Sequence, residues 1–178
     1  KIRPSGSIAG STGTGHSCVV FDYNRDGYQD LVVGAINDDT TGANAGKVNI
    51  FLGSSTGISQ VESLSILGPS VTNYGFGSSL SIGDIDNDGF DDIIVGAYLD
   101  DSTNLNQGAV YIFRSDSTTG IVDLNSSTKF EKPGGATLDY FGFSVLAFDY
   151  DKDGDKDLLI GSTGDDTTNS ATGIVHIF

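Results

Sequence analysis

A nine-residue acidic pattern that recurs three times constrains this chain more than any other feature. The copies read DYNRDGYQD from Asp22, DIDNDGFDD from Asp84 and DYDKDGDKD from Asp149, with starts 62 and 65 residues apart. Repetition at such a period means that one supersecondary unit is stacked on copies of itself, since a single unit cannot bury its apolar face alone. The rest of each unit repeats as well. Directly after each loop comes a β-branched run closed by glycine and a small residue: Leu31 to Ala35, Ile93 to Ala97 and Leu158 to Ser162. Sixteen residues past the last loop aspartate a second run begins, Gly46 to Phe51, Gly108 to Phe113 and Gly173 to Phe178.

The runs that follow the loops do not alternate with polar residues, which predicts strands buried on both faces, as between stacked sheets. With 25 glycines, 3 prolines and many Ser, Thr, Asn and Asp residues, the composition disfavours helices and favours short strands joined by turns. The expectation is an all-β chain. Its repeat is too long for a solenoid coil and suits a β-propeller blade of four antiparallel strands. Each unit reads as strand, acidic loop, strand, polar turn, strand and a variable fourth strand such as Ser63 to Leu67. Residues 1–178 then form one propeller segment, with units at approximately 1–61, 62–123 and 124–178.

Several carboxylates within nine residues repel one another unless a cation neutralises them, and alternate positions 1, 3 and 5 aim side chains into one hollow. Every candidate ligand is an oxygen atom, with no His or Cys nearby, which favours calcium over zinc or copper. The predicted ligands are Asp22, Asn24 and Asp26 in the first loop, Asp84, Asp86 and Asp88 in the second, and Asp149, Asp151 and Asp153 in the third. Glycine at position 6 (Gly27, Gly89, Gly154) allows the sharp turn around an ion. Position 7 falls on Tyr28, Phe90 and Asp155, side chains so unlike that only the main-chain carbonyl can be the common ligand. Position 9 supplies a closing carboxylate from Asp30, Asp92 or Asp157. An EF-hand would need a bidentate Glu at position 12, between helices, where this chain has Val33, Val95 and Ile160 in β-branched runs. Three calcium sites are therefore expected, the first the weakest because Asn24 replaces a carboxylate.

With these elements in place the units resemble FG-GAP repeats, the blades of the integrin α-chain N-terminal β-propeller and its relatives. The naming elements stand as Phe76-Gly77 and Phe141-Gly142, then Gly34-Ala35, Gly96-Ala97 and Gly161-Ser162, with the acidic loop between them. The departures are Thr14 in place of Phe in the first unit, Ser162 in place of Ala, and Ile36, Tyr98 and Thr163 where the family has Pro. The resemblance implies calcium ions in hairpin loops on one face of the propeller and partners on the opposite face.

A second set of acidic residues lies four residues past the glycine of each small-residue turn: Asp38-Asp39, Asp100-Asp101 and Asp165-Asp166. These should sit at the other end of the blade from the acidic loops. The plain reading is a solvated turn in which Asp accepts backbone N–H bonds. The sharper one is a ligand-facing rim for sugar hydroxyls or a basic side chain. Cys18 aligns with Leu80 and Val145 and is expected to be a buried apolar filler, and as the only cysteine it leaves no internal disulfide. His176 aligns with Asn49 and Tyr111, a variable position. Asn125-Ser126-Ser127 is a glycosylation sequon in an expected loop.

A net charge of −15, with nine scattered basic residues, argues against nucleic acid, and no apolar run approaches membrane-spanning length. Three blades are too few to close a ring; a seven-blade ring would need more than about four hundred residues. The expected complement is the remaining blades of a longer chain or a second copy of this one. No nucleophile and base constellation stands out. The reading is therefore a non-catalytic extracellular or cell-surface calcium-binding module that recognises a protein or glycan in adhesion. The alternatives are a propeller lectin and an accessory binding module of a larger secreted enzyme.

Overall fold

The acidic loops turn the chain back on itself, so each predicted apolar run becomes the second strand of a hairpin. The computed structural model describes residues 13–69, 74–165 and 172–178, and among these there are strands and turns but no helix. The first sheet is β1 (Thr14–Phe21), β2 (Asp30–Ala35), β3 (Lys47–Phe51) and β4 (Leu64–Leu67), in that order. The second is β5 (Phe76–Gly83), β6 (Asp92–Ala97), β7 (Ala109–Phe113) and β8 (Thr128–Phe130). The third holds β9 (Phe141–Phe148), β10 (Asp157–Ser162) and β11 (Ile174–Ile177). All pairings within these sheets are antiparallel meanders. Because β4 and β8 complete the sheets that precede them, the breaks between sheets fall at residues 68–75 and 131–140. The approximate boundaries at 61/62 and 123/124 placed those outer strands in the following unit and need that correction.

Register fixes the loops. Phe21 pairs with Asp30, Gly83 with Asp92 and Phe148 with Asp157, so positions 1 to 8 of each acidic pattern form the hairpin loop and position 9 opens the next strand. At the far end of each first strand the register shifts, between Thr14 and Cys18, between Phe76 and Ser79, and opposite Gly161/Ser162. The bulged glycines Gly15, Gly77 and Gly142 have φ of 93°, 85° and 86°, a conformation that glycine adopts without steric penalty.

That bulge joins neighbouring sheets. Ser17 Oγ donates to the Gly77 carbonyl at 2.8 Å, and Ser79 Oγ donates to the Gly142 carbonyl at 2.9 Å. A Cβ on Gly34 would lie 2.0 Å from the Gly77 oxygen, and one on Gly96 would lie 2.3 Å from the Gly142 oxygen. The glycine of each second strand is thus the clearance for the bulged carbonyl of the next sheet. Phe76 and Phe141, just before the bulges, are fully buried and fill the two inter-sheet cores. One core packs Val32, Val48 and Ile50 against Phe76, Ile93 and Val95; the other packs Ile94, Val110 and Ile112 against Phe141, Val145 and Ile160.

Burial tracks the stacking. Strand β6, flanked by sheets on both sides, is buried at every residue, whereas β10 alternates and β11 is half exposed. The same reasoning corrects the reading of Cys18. It is exposed, although Leu80 and Val145 at the equivalent positions are only 9% exposed. Those two face a preceding sheet, and among the described residues no sheet precedes β1.

Candidate metal centres and the opposite rim

The three hairpin loops fold alike because their first aspartate accepts backbone N–H bonds from across the turn. Asp22 accepts from Asp26 N at 3.1 Å and Gly27 N at 2.8 Å, Asp84 from Asp88 N at 3.0 Å and Gly89 N at 2.8 Å, and Asp149 from Gly154 N at 3.2 Å. Position 5 then accepts from position 7: Tyr28 N to Asp26 at 2.9 Å, Phe90 N to Asp88 at 3.0 Å and Asp155 N to Asp153 at 3.0 Å. Besides the glycine at position 6, position 4 is left-handed in every loop, with φ of 58° at Arg25, 60° at Asn87 and 65° at Lys152. Only Asn87 carries a residue type that signals this conformation in the sequence.

In the second and third loops the carboxylates at positions 1, 3 and 5 converge. One oxygen each from Asp84, Asp86 and Asp88, and one each from Asp149, Asp151 and Asp153, lie within 4.8 Å of one another. In the first loop Asn24 takes the middle place and donates from Nδ2 to Asp26 at 3.0 Å. Two buried carboxylate oxygens in these clusters, Asp88 Oδ2 and Asp149 Oδ1, have no hydrogen-bond partner. A buried acceptor left unpaired is costly, and a cation among the three carboxylates is the kind of partner that removes the cost. The all-oxygen donor set therefore fits a hard divalent ion.

Position 9 has a further structural part. Asp30 is fully buried and accepts from Tyr23 N at 2.9 Å and Gly53 N at 2.6 Å; Asp92 is equally buried and accepts from Ile85 N at 3.0 Å and Ser115 N at 2.8 Å. Asp157 accepts from Tyr150 N at 2.6 Å. Asp30 and Asp92 tie the start of their loops to the end of the third strand, and Asp92 does not join the close cluster of the second loop. Burial pushes its carboxyl above the ordinary range, against the pull of its two backbone donors.

At the opposite end of the blades the acidic pairs divide. Asp38 and Asp39 behave as turn residues, accepting from Thr40 N at 2.9 Å and Asn44 N at 2.7 Å. Asp101 is exposed, and Asp166 lies outside the described residues. Asp100 and Asp165 are buried in ion pairs, which removes their carboxylates from any ligand-facing rim. Asp100 accepts from Ser102 N at 2.9 Å and Oγ at 2.7 Å and from Tyr111 Oη at 2.8 Å, with Lys129 Nζ 3.0 Å away. Burial works to raise its carboxyl, but these donors together outweigh it and hold the group below the usual range. Asp165 pairs with Lys132, which also meets Asp139 at 3.1 Å. The two lysines come from the variable fourth strand and the segment after it, so no repeat marked them as partners.

The FG-GAP repeat pattern matches residues 14–51, 76–113 and 141–178. This chain belongs to the FG-GAP repeat family. Each match runs from the bulged first strand through the acidic loop to the end of the third strand, which are the elements whose contacts recur from sheet to sheet. The chain is similar to integrin alpha-3 of Cricetulus griseus, 36% identical over 154 residues, covering 85% of this chain and 14% of that protein. It is similar also to integrin alpha-6 of Homo sapiens, 32% identical over 156 residues, 86% of this chain and 13% of that protein. With integrin alpha-5 of Xenopus laevis it shares 34% identity over 164 residues, 86% of this chain and 15% of that protein. The FG-GAP elements explain the glycines and buried phenylalanines of the fold. Thr14, which departs from the family at the start of the first repeat, is exposed where Phe76 and Phe141 are buried.

Proposed function

We propose that this chain is part of an extracellular or cell-surface β-propeller without catalytic activity, in which three calcium ions brace the hairpin loops and the opposite face meets a protein or glycan partner in adhesion. The observation that carries the metal assignment is the pair of orphaned buried oxygens, Asp88 Oδ2 and Asp149 Oδ1, each inside a tight cluster of three carboxylates. Calcium would be held by positions 1, 3, 5 and 9 together with the position 7 carbonyl. When bound, it would supply charge neutralisation and a fixed loop, not a reaction. The adhesive role rests on the integrin α-chain relatives, and the exposed Asn125 sequon fits an extracellular setting.

The structure also favours further blades as neighbours. Ser144 and Gly161 repeat the Ser17/Gly34 and Ser79/Gly96 arrangement and line an open hollow with Ser162, Gly173 and Val175. That hollow is where the bulged carbonyl of a following FG-GAP blade would seat. Beside it, Leu146, Phe148, Val175 and Ile177 leave apolar surface exposed, which a stacked sheet would cover.

The test is calcium binding by titration calorimetry, paired with the thermal midpoint in calcium and in excess EGTA. Binding near three equivalents with a midpoint that falls on chelation is expected. No binding heat and an unchanged midpoint would overturn the metal assignment.

A further inference from the structure

The acidic loops touch one another in a fixed order. The position 4 side chain of each loop reaches position 7 of the next, twice, with different chemistry. Arg25 of the first loop stacks its guanidinium over the ring of Phe90 in the second, 4.5 Å from the ring centre. Asn87 of the second loop donates from Nδ2 to Asp155 Oδ1 of the third at 2.7 Å. The first contact has a dedicated space: a Cβ on Gly120 would come within 2.5 Å of the Phe90 ring and 2.7 Å of the Arg25 guanidinium. Arg25 is held further by a bond to the Thr119 carbonyl at 3.3 Å.

Position 4 lies between two ligand positions, 3 and 5, and its left-handed backbone is shared by all three loops. An ion gripped by positions 3 and 5 immobilises the backbone from which the position 4 side chain projects. At the other end of the contact, position 7 is the residue whose main-chain carbonyl would complete the neighbouring site. Its side chain is free to serve as a handle because it ligates nothing. We propose that Arg25 and Asn87 are positioning residues that couple the loops in chain order, so that an ion in one loop pre-orders the position 7 carbonyl of the next. Ordering costs conformational entropy, and a loop whose carbonyl is already held binds its ion more tightly. The coupling is reciprocal for binding free energies. The link from Arg25 also brings a cation towards the second loop, which opposes its ion, so the neutral link from Asn87 is the cleaner one to measure.

This inference rests on calcium occupying the loops. The amide protons of Gly27, Gly89 and Gly154, one in each loop, serve as separate reporters in a calcium titration of the 15N-labelled chain by NMR. Asn87→Gly removes the amide and leaves a residue that adopts the left-handed backbone without strain. It should weaken calcium binding at the third loop about three- to tenfold, the range expected for one hydrogen bond, and leave the first loop unchanged. Asp155→Ala breaks the same contact from the other side, and through reciprocity it should weaken the second loop, to which Asp155 does not belong. Lys152→Gly, at position 4 of the third loop, should leave the first and second loops unchanged. If Asn87→Gly leaves the third loop within twofold of the parent and Asp155→Ala leaves the second loop unmoved, the coupling is refuted while calcium binding stands. A parent chain whose three glycine resonances ignore calcium overturns both.

Discussion

Replacing Lys132 by Met removes the ammonium that bridges Asp139 and Asp165 in a buried cluster. Lys132 is 7% exposed, Asp139 1% and Asp165 fully buried, and the ammonium bridges the two carboxylates that flank it. Methionine matches the length of the lysine stem, so the substitution changes charge far more than packing. It removes the ammonium from between two buried carboxylates at the junction of the second and third sheets, where His176 lies 3.3 Å from Asp165. Breaking a buried pair by removing one partner costs about 3–5 kcal/mol, a large part of a typical domain stability of about 5–15 kcal/mol. For a chain of this size each kcal/mol moves the thermal midpoint by about 2–4 °C. Lys132→Met should therefore melt about 6–20 °C below the parent at pH 7, measured by circular dichroism in calcium. A midpoint within about 2 °C of the parent at pH 7 would show that these charges are hydrated and that the buried ion pair does not hold the sheets together.

Two further outcomes follow from the same contacts. Gly96→Ala would drive a methyl group to 2.3 Å from the Gly142 carbonyl, and such overpacking costs about 1–3 kcal/mol; in Gly161→Ala the new methyl meets only the Ser144 hydroxyl closely, so its melting midpoint should move far less. Because its hydrogen bonds hold the Asp100 carboxyl below its ordinary value of 3.8, its contribution is complete above that pH and is lost as the pH falls through the depressed value. The Lys132 ammonium faces burial, which lowers it, but its bonds to Asp165 and Asp139 outweigh that and raise it above its ordinary 10.5. Its contribution is then complete below 10.5 and is lost as the pH rises through the raised value. Thermal midpoints measured against pH should show both losses in the parent and a smaller alkaline loss in Lys132→Met, where the raised Lys129 ammonium remains; an alkaline loss undiminished in the variant would refute the assignment.

What the sequence made legible is what a single unit dictates to itself. The acidic loop, its glycine and the β-branched run after it are local demands, and three copies in one register made each demand readable. The repeat puts Phe76 and Phe141 in the same register, but their burial between sheets requires the neighbouring sheet. The exposure of Cys18 depends on whether a sheet covers β1 and not on the strand it occupies, so its alignment with Leu80 and Val145 does not carry their burial. The burial of Asp100 and Asp165 is not legible locally, because their lysine partners sit 29 and 33 residues away, in segments that differ from unit to unit. The position 9 aspartates were readable as candidate ligands, but their bonds to Gly53 and Ser115 at the end of the third strand require the folded hairpin.

Each first strand is held at both ends by a different chemistry. At one end the acidic loop gathers carboxylates whose mutual repulsion opens the turn unless a cation closes it. At the other, in β5 and β9, the bulged glycine hands its carbonyl to the serine and glycine of the preceding sheet, a bond that needs no ion. Removing the ion should therefore loosen each hairpin from its loop end while the glycine lock keeps the sheets in register, and the two ends unfold independently only if the eight-residue strand between them transmits no strain. The buried pairs at Asp100 and Asp165 sit near the locked end, so the end that needs no ion is also the end that salt bridges brace.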